Sequence, residues 1–291
     1  FSGLFRYNGR SSRSSHPNIT PVDWDGMNEL SNLQARLESL PLARVASRLV
    51  ESAQPCITIS TSRVDDAKIP VGESKFGGLP DAPLDFEWPI WNDRPLAFLG
   101  QFDLITLAHL PIAKSLPAGG LLSFFYDSRQ ETWGFNPQDR GSWSVNLFER
   151  DRLTRMNPPD SLPEDGVYGA CALTFGEALT LPGWETPMVQ GLQLTDEEQD
   201  AFFALSESDE LGGHHLLGHP QEVQGAMQLE CQLASNGIYC GNPAGYDDPR
   251  VPALEVNATD WVLLLQIDSD DHPGWMWGER YCQISCSEIL D

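Results

Sequence analysis

The sequence predicts an α+β fold in which mostly antiparallel sheets are internally duplicated, flanked by helices and preceded by an N-terminal helical segment. Three observations carry this. Apolar residues recur at three- and four-residue steps before residue 54 and as short strand-like runs after it. Gly and Pro turns divide those runs. Two stretches of the chain also repeat the same order of motifs. With 291 residues, 41% hydrophobic, nine Trp and thirteen Phe, the chain holds enough core-forming material for one large or two ordinary domains.

Residues 1–21 carry Arg6, Arg10 and Arg13, no acid, and the serines Ser11, Ser12, Ser14 and Ser15, the composition of a flexible basic tail. Residues 22–54 read as a helical segment. Met27, Leu30, Leu33, Leu37 and Leu40 form one apolar stripe, and Val45 and Leu49 continue it beyond Pro41, so two helices are expected. After Gln54-Pro55, Cys56, Ile57 and Ile59 alternate with Thr58 and Ser60, a strand pattern that opens a duplicated domain over 55–291, with halves of about 55–155 and 156–291.

Further strands are expected at Leu96 to Leu104, Leu121 to Asp127 and Trp143 to Phe148. Thr195-Asp196-Glu197-Glu198 is a capping box, in which the Thr oxygen accepts from an amide and the Glu reaches back; it opens a helix through Leu205. A second helix follows Pro220, with the stripe Val223, Ala226, Met227, Cys231 and Ala234 and an end at Asn236-Gly237. The chain closes with more strand. There Cys282 and Cys286 are about 13 Å apart along an extended backbone, too far for a disulfide. Six scattered Cys favour a reducing, cytoplasmic setting. The sequence begins at Phe1, which leaves open whether a signal was removed.

The repeat pairs Phe76-Gly77-Gly78-Leu79-Pro80 with Leu216-Leu217-Gly218-His219-Pro220. It also pairs Leu96 to Asp103 with Trp261 to Asp268, both ending in Gln, an apolar residue and Asp. A glycine-led strand follows each, Gly120 to Asp127 and Gly278 to Ser285. Apolar residues on both faces of these strands imply a sheet covered on both sides.

Charge narrows the partners. Lys and Arg total 18 against 42 Asp and Glu, a net charge of −24 that repels nucleic-acid phosphates and anionic lipid. No run of apolar residues is long enough to span a membrane. From Met156 to Pro249 the 94 residues hold 16 acids and neither Lys nor Arg, so local neutralisation within that span is impossible. Asp196, Glu197, Glu198, Asp200, Glu207, Asp209 and Glu210 cluster on or beside one helix, and steering toward a basic partner is the functional reading; solubility or a saline habitat is the plain one.

Ser74-Lys75-Phe76-Gly77-Gly78-Leu79-Pro80, Trp88-Pro89, Pro95 to Gln101, and Leu116-Pro117 with Gly120 to Phe125 resemble the YwqG-like family of bacterial proteins of unknown function. His214 to Pro220 with Val223-Gln224, Leu264 to Asp268, and Met276-Trp277-Gly278 resemble its C-terminal motifs, so the likeness covers about residues 70–290. It departs at Glu279, Arg280 and Tyr281, where the family has Asp and then Gly. The resemblance implies a duplicated α+β fold and, because relatives are often encoded beside secreted toxins, toxin neutralisation.

Candidate site residues follow from position. Gln101 and Asp103, like Gln266 and Asp268, are two apart on a strand and share a face, where they would converge between the halves into a ligand pocket with Lys75. The structural alternative has the Gln side chains satisfying neighbouring loops and the Lys75 stem packing over Phe76. His214, His215 and His219 with Asp268, Asp270 and Asp271 suggest a metal site, but Gly218 and Pro220 break the helix that such a spacing needs, and the Asp run fails as a calcium loop; no metal or cofactor is expected. Trp88, Trp91, Trp133, Trp143, Trp275 and Trp277 lie near loops, where core filling is the default. Nucleophile elbows, phosphate loops and dinucleotide turns are missing. The expected function is therefore a non-enzymatic acidic binding module, an immunity protein covering a basic toxin domain. An enzyme or small-molecule receptor with a pocket between the halves, or a scaffold, are the alternatives.

Overall fold

The computed structural model describes residues 4–6, 26–206, 213–222, 225–277 and 281–284. A nine-stranded sheet organises it, with strands β1 (Gln54–Arg63), β2 (Lys75–Phe76), β3 (Ala97–Asp103), β4 (Leu121–Tyr126), β5 (Trp143–Phe148), β6 (Cys171–Thr180), β7 (His215–Leu216), β8 (Leu265–Asp268) and β9 (Tyr281–Ile284). Across the sheet the order is β9-β8-β7-β1-β6-β2-β3-β4-β5, and every neighbouring pair is antiparallel. The fold is α+β, as expected.

The duplication is written into this order. At the centre β1 and β6 pair along ten residues, from Cys171 opposite Arg63 to Thr180 opposite Gln54. On one side lie β2, β3 and β4, on the other β7, β8 and β9, so a pseudo-twofold between β1 and β6 exchanges the two sets. Lys75 pairs with Gln101 as His215 pairs with Gln266. An irregularity sits at the same place in both: Leu99 is skipped in the ladder within β3 and Leu264 precedes β8, and their carbonyls accept from the amides of Gly77 and Leu217. Of the nine strands in this sheet, β5 alone has no counterpart.

Every residue of β3 and β4 is buried, which is why neither shows polar alternation. Ile57, Ile59, Phe76, Phe102, Phe124, Leu265, Ile267, Trp275 and Trp277 lie in the main core. A second core joins the N-terminal helices α1 (Gly26–Ser39) and α2 (Ala46–Ser52) to the second half. There Leu33, Leu37, Leu42, Val45 and Leu49 meet Leu179, Val189, Leu192, Phe202 and Leu205. The helical segment therefore shares a core with the duplicated domain.

Helices α3 (Leu104–Leu107), α4 (Pro187–Gln190), α5 (Asp196–Ser206), α6 (Met227–Ser235) and α7 (Val251–Glu255) complete the set. The capping box forms reciprocally: Glu198 N donates to Thr195 Oγ1 at 3.3 Å and Thr195 N to Glu198 Oε2 at 2.8 Å. Helix α6 starts at Met227, later than its apolar stripe suggests, and Val223 lies outside the described residues. It ends where Gly237 takes a φ of 80°. Within the segment read as a tail, Leu4–Arg6 pairs antiparallel with Trp261–Leu263. Cys282 lies on β9, and Cys286 is outside the described residues.

Candidate functional site

The five residues expected to line a shared pocket are instead divided between two equivalent structural brackets. Gln101, fully buried, accepts from Asp81 N at 2.9 Å and donates to Asp81 Oδ2 at 2.7 Å and to Glu73 O at 2.8 Å. Gln266, also fully buried, accepts from Gln221 N at 2.8 Å and donates to Gln221 Oε1 at 3.0 Å and to Gly213 O at 3.4 Å. Each Gln thus pins the residue after the glycine-proline turn and the residue two before its partner strand. Their strands stand five positions apart in the sheet order, and each Gln is fully buried on partners of its own half.

Lys75 is a correction of the same kind. Its side chain is wholly buried; Nζ donates to Asp66 Oδ1 at 2.9 Å and to the carbonyl of Leu79. Arg155 closes the network, bonding Asp66 Oδ2 at 2.9 Å, Asp81 Oδ1 at 2.8 Å and the carbonyls of Asp66 and Ile69. Desolvation lowers the Lys75 pKa, opposed by the two carboxylates. The second half keeps the geometry without the charge: His215 faces the carbonyl of His219, its counterpart of Leu79, at 3.3 Å, and Gln221 replaces Asp81. Arg155 and Asp66 carry no motif, so their roles were invisible in the sequence.

Asp103 and Asp268 also match. Asp103 N donates to Ser74 Oγ at 2.8 Å, and Asp268 N to His214 Nδ1 at 2.9 Å. Asp103, nearly inaccessible, caps α3 through Ile105 N at 3.1 Å and binds Arg150 Nη1 at 2.6 Å. Asp268, half-buried, accepts from Ser269 N at 2.6 Å.

The histidines are engaged locally. His214 Nδ1 accepts an amide, so its proton is on Nε2, which donates to Asp270 Oδ2 at 3.2 Å. Asp270 Oδ2 also takes the Thr61 hydroxyl at 2.6 Å, and Thr61 Oγ1 lies 2.8 Å from His272 Nδ1. The quartet ties β1 to the loop after β8. Burial holds His214 and His219 below the usual imidazole range and pushes His215 down to about 4. His219 Nε2 lies 2.7 Å from Ser52 O. Among the described residues no group of three His, Cys, Asp or Glu is placed to hold a metal ion.

Helix α5 is where the acidic cluster meets solvent. Asp196, Glu197 and Asp200 are exposed, and among the described residues none of them enters an ion pair. Phe203, 42% exposed, stands three residues beyond Asp200 and seven beyond Asp196 on the same helical face, its ring 5.0 Å from that of Trp184. Glu198 departs from expectation. It is buried, and Arg44 from the N-terminal segment holds it through Nε at 2.8 Å and Nη2 at 2.7 Å. Those bonds and the Thr195 amide draw its pKa down to about 2. The cation missing from the acidic span is thus supplied by tertiary structure. Glu207, Asp209 and Glu210 lie outside the described residues.

Other features are modest. A depression lined by Gly78, Pro80, Trp88, Phe98, Pro158 and Val167 holds about 10 Å³, room for one water. Trp275 and Trp277 are buried, Trp88, Trp91 and Trp143 half-buried, and Trp133 exposed, so these six form no continuous patch. Burial raises the thiols of Cys56 to about 12 and of Cys171 and Cys240 to about 11, leaving them weak nucleophiles. No helix among the described residues is long and apolar enough to cross a membrane.

The fold and its paired brackets define an internally duplicated α+β protein built on one antiparallel sheet. A family model described as Domain of unknown function (DUF1963) matches residues 74–282, and the chain belongs to that family. The match starts beside Lys75, at the first bracket, and runs through the second to β9. No curated protein matches the chain.

Proposed function

We propose that this protein is a non-enzymatic binding module that captures a basic protein partner on the exposed face of α5, in the manner of a cytoplasmic bacterial immunity protein covering a toxin domain. One observation carries the reading: Asp196, Glu197 and Asp200 present uncompensated carboxylates beside the accessible Phe203–Trp184 pair. An aromatic anchor with a charged rim is the usual anatomy of a protein interface. The net charge of −24 supports it by steering a cationic partner inward. The YwqG-like resemblance, with its toxin neighbourhood, points the same way.

The test is binding to the purified product of the gene next to its own. Affinity should be micromolar or tighter and fall steeply between about 50 and 500 mM salt. The triple variant Asp196→Asn, Glu197→Gln, Asp200→Asn should lose most of that salt dependence. Absence of binding, or binding indifferent to salt, overturns the reading.

A further inference from the structure

The loop of residues 269–277 after β8 carries Trp275 and Trp277 into the main core. Within it Asp270 and Trp275 exchange backbone bonds, Asp270 N to Trp275 O at 3.1 Å and Trp275 N to Asp270 O at 2.9 Å. His214, 9% exposed, packs edge-to-face against Phe76 and Trp275, with ring centroids 5.3 and 6.0 Å away. Both of its nitrogens are committed. Nδ1 accepts the Asp268 amide at 2.9 Å, where β8 runs into the loop, and Nε2 donates to Asp270 Oδ2 at 3.2 Å.

An imidazolium has two donors and no acceptor. A proton added at Nδ1 would face the Asp268 N–H, so the closed loop fits only the neutral ring. The first half performs the same task with a group that does not titrate in this range, because Asp103 N donates to Ser74 Oγ. Proton sensitivity at this point therefore belongs to the second half alone.

The surroundings decide which form wins. Asp270 favours the charged ring, and burial opposes it more strongly, holding the imidazole below its usual range. His272 lies on the same loop, its Nδ1 3.6 Å from Asp270 Oδ1, and the charges of Asp270 and Arg63 both act on the Cys171 thiol of β6. Asp268 turns its carboxylate to Ser269 N, Lys75 of β2 is bonded to Asp66, and the charge of His214 would bear on its neighbour His215. In an opened loop the ring regains water and its ordinary value near 6.5. Falling pH then favours opening by up to about tenfold per unit, until the closed form itself takes the proton.

We propose that His214 makes this loop an acid-released latch, closed over Trp275 and Trp277 while the ring is neutral and opened when it is protonated. This is independent of the acidic face of α5.

The experiment is amide hydrogen exchange of the full chain at about pH 7.5 and about pH 5.5, corrected for the intrinsic rate. The Asp270, Gly274 and Trp275 amides should lose about five- to tenfold of their protection on acidification, while those of β3 and β4 lose none. His214→Gln, whose amide can accept from Asp268 N and donate to Asp270 without titrating, should abolish the loss, and His272→Gln should leave it in place. The inference is overturned by no loss in the parent, by the same loss in His214→Gln, by no loss in His272→Gln, or by an equal loss throughout the sheet. Nuclear magnetic resonance of the parent's imidazoles needs no variant: His214 should stay neutral, with its proton on Nε2, as long as the loop is protected, and a charged His214 under a still-protected loop also overturns the latch.

Discussion

Gln101 and Gln266 occupy the same place in the two halves of the sheet and make the same set of three hydrogen bonds. Each accepts the amide of the residue after a turn proline, Asp81 or Gln221, and returns a bond to that residue's side chain. The third bond goes to Glu73 O in one half and Gly213 O in the other. What differs is charge, because Asp81 also holds Arg155.

That difference orders two substitutions. Gln101→Ala should cost about 1–3 kcal/mol, because it strands a buried amide and weakens the support of an ionised carboxylate, whereas Gln266→Ala should cost about 1 kcal/mol. Urea denaturation of both variants decides it, and a larger loss for Gln266→Ala contradicts the account.

Within the buried network, Arg155 matters more than Lys75. Arg155→Met leaves Asp81 without its cation and Asp66 with only Lys75, at a cost of about 3–5 kcal/mol. Lys75→Met leaves Asp66 still paired and should cost less. Comparable destabilisation in chemical melts would refute the ranking.

Glu222 gives a pH signature. Burial, with help from the charges of Glu230 and Glu185, raises its pKa to about 7, while its Oε1 accepts Met227 N at the start of α6. A raised carboxyl contributes stability that is complete below its unfolded pKa, near 4.3, and disappears as pH climbs through the folded value. Stability should therefore decline between about pH 4.5 and 7.5, by roughly 3 kcal/mol from this group. Glu222→Gln keeps the amide acceptor and should flatten that decline; an unchanged slope rejects the assignment.

Glu198 behaves oppositely. Its depressed pKa contributes stability that is present above its unfolded value and is lost as pH falls toward about 2. Acid unfolding of Glu198→Gln, or of Arg44→Met, should show a shallower loss below pH 4.5 than the parent. Identical acid limbs would mean the ion pair contributes nothing.

Gly77 tests the turn. Its φ of 58° nearly equals the 63° of Leu217, so the two turns share a left-handed backbone. A Cβ at Gly77 would lie 2.2 Å from Gly169 O. Gly77→Ala should lose more than about 3 kcal/mol, seen as a drop in Tm of many degrees; a near-parental Tm would show that the segment leading into β6 can yield.

Much of the fold was legible because local rules and tertiary structure agree. The stripe from Leu30 to Leu49, the Thr195–Glu198 box and the Gln-x-Asp repeat each mark an element that formed. The site was less legible. Glu198 looked like one of seven clustered acids, and only the folding of Arg44 against α5 removes it from that face. Lys75 looked like a cation poised beside a glycine turn, yet its partner Asp66, and Arg155, which binds the other oxygen of that carboxylate, come from segments with no motif, Arg155 from far along the chain. A strand also cannot announce which others stand between it and its twin, so the four strands placed between those of Gln101 and Gln266 had no signal in the residues.

The position of β1 beside β7, and of β6 beside β2, has a consequence for how the molecule can be taken apart. A gene divided between residues 156 and 170 would encode two polypeptides, each carrying the strand that the other needs to finish its ladder. Neither piece would hold its shape by itself, and mixing them should restore the whole, so the two repeats must fold as a single event.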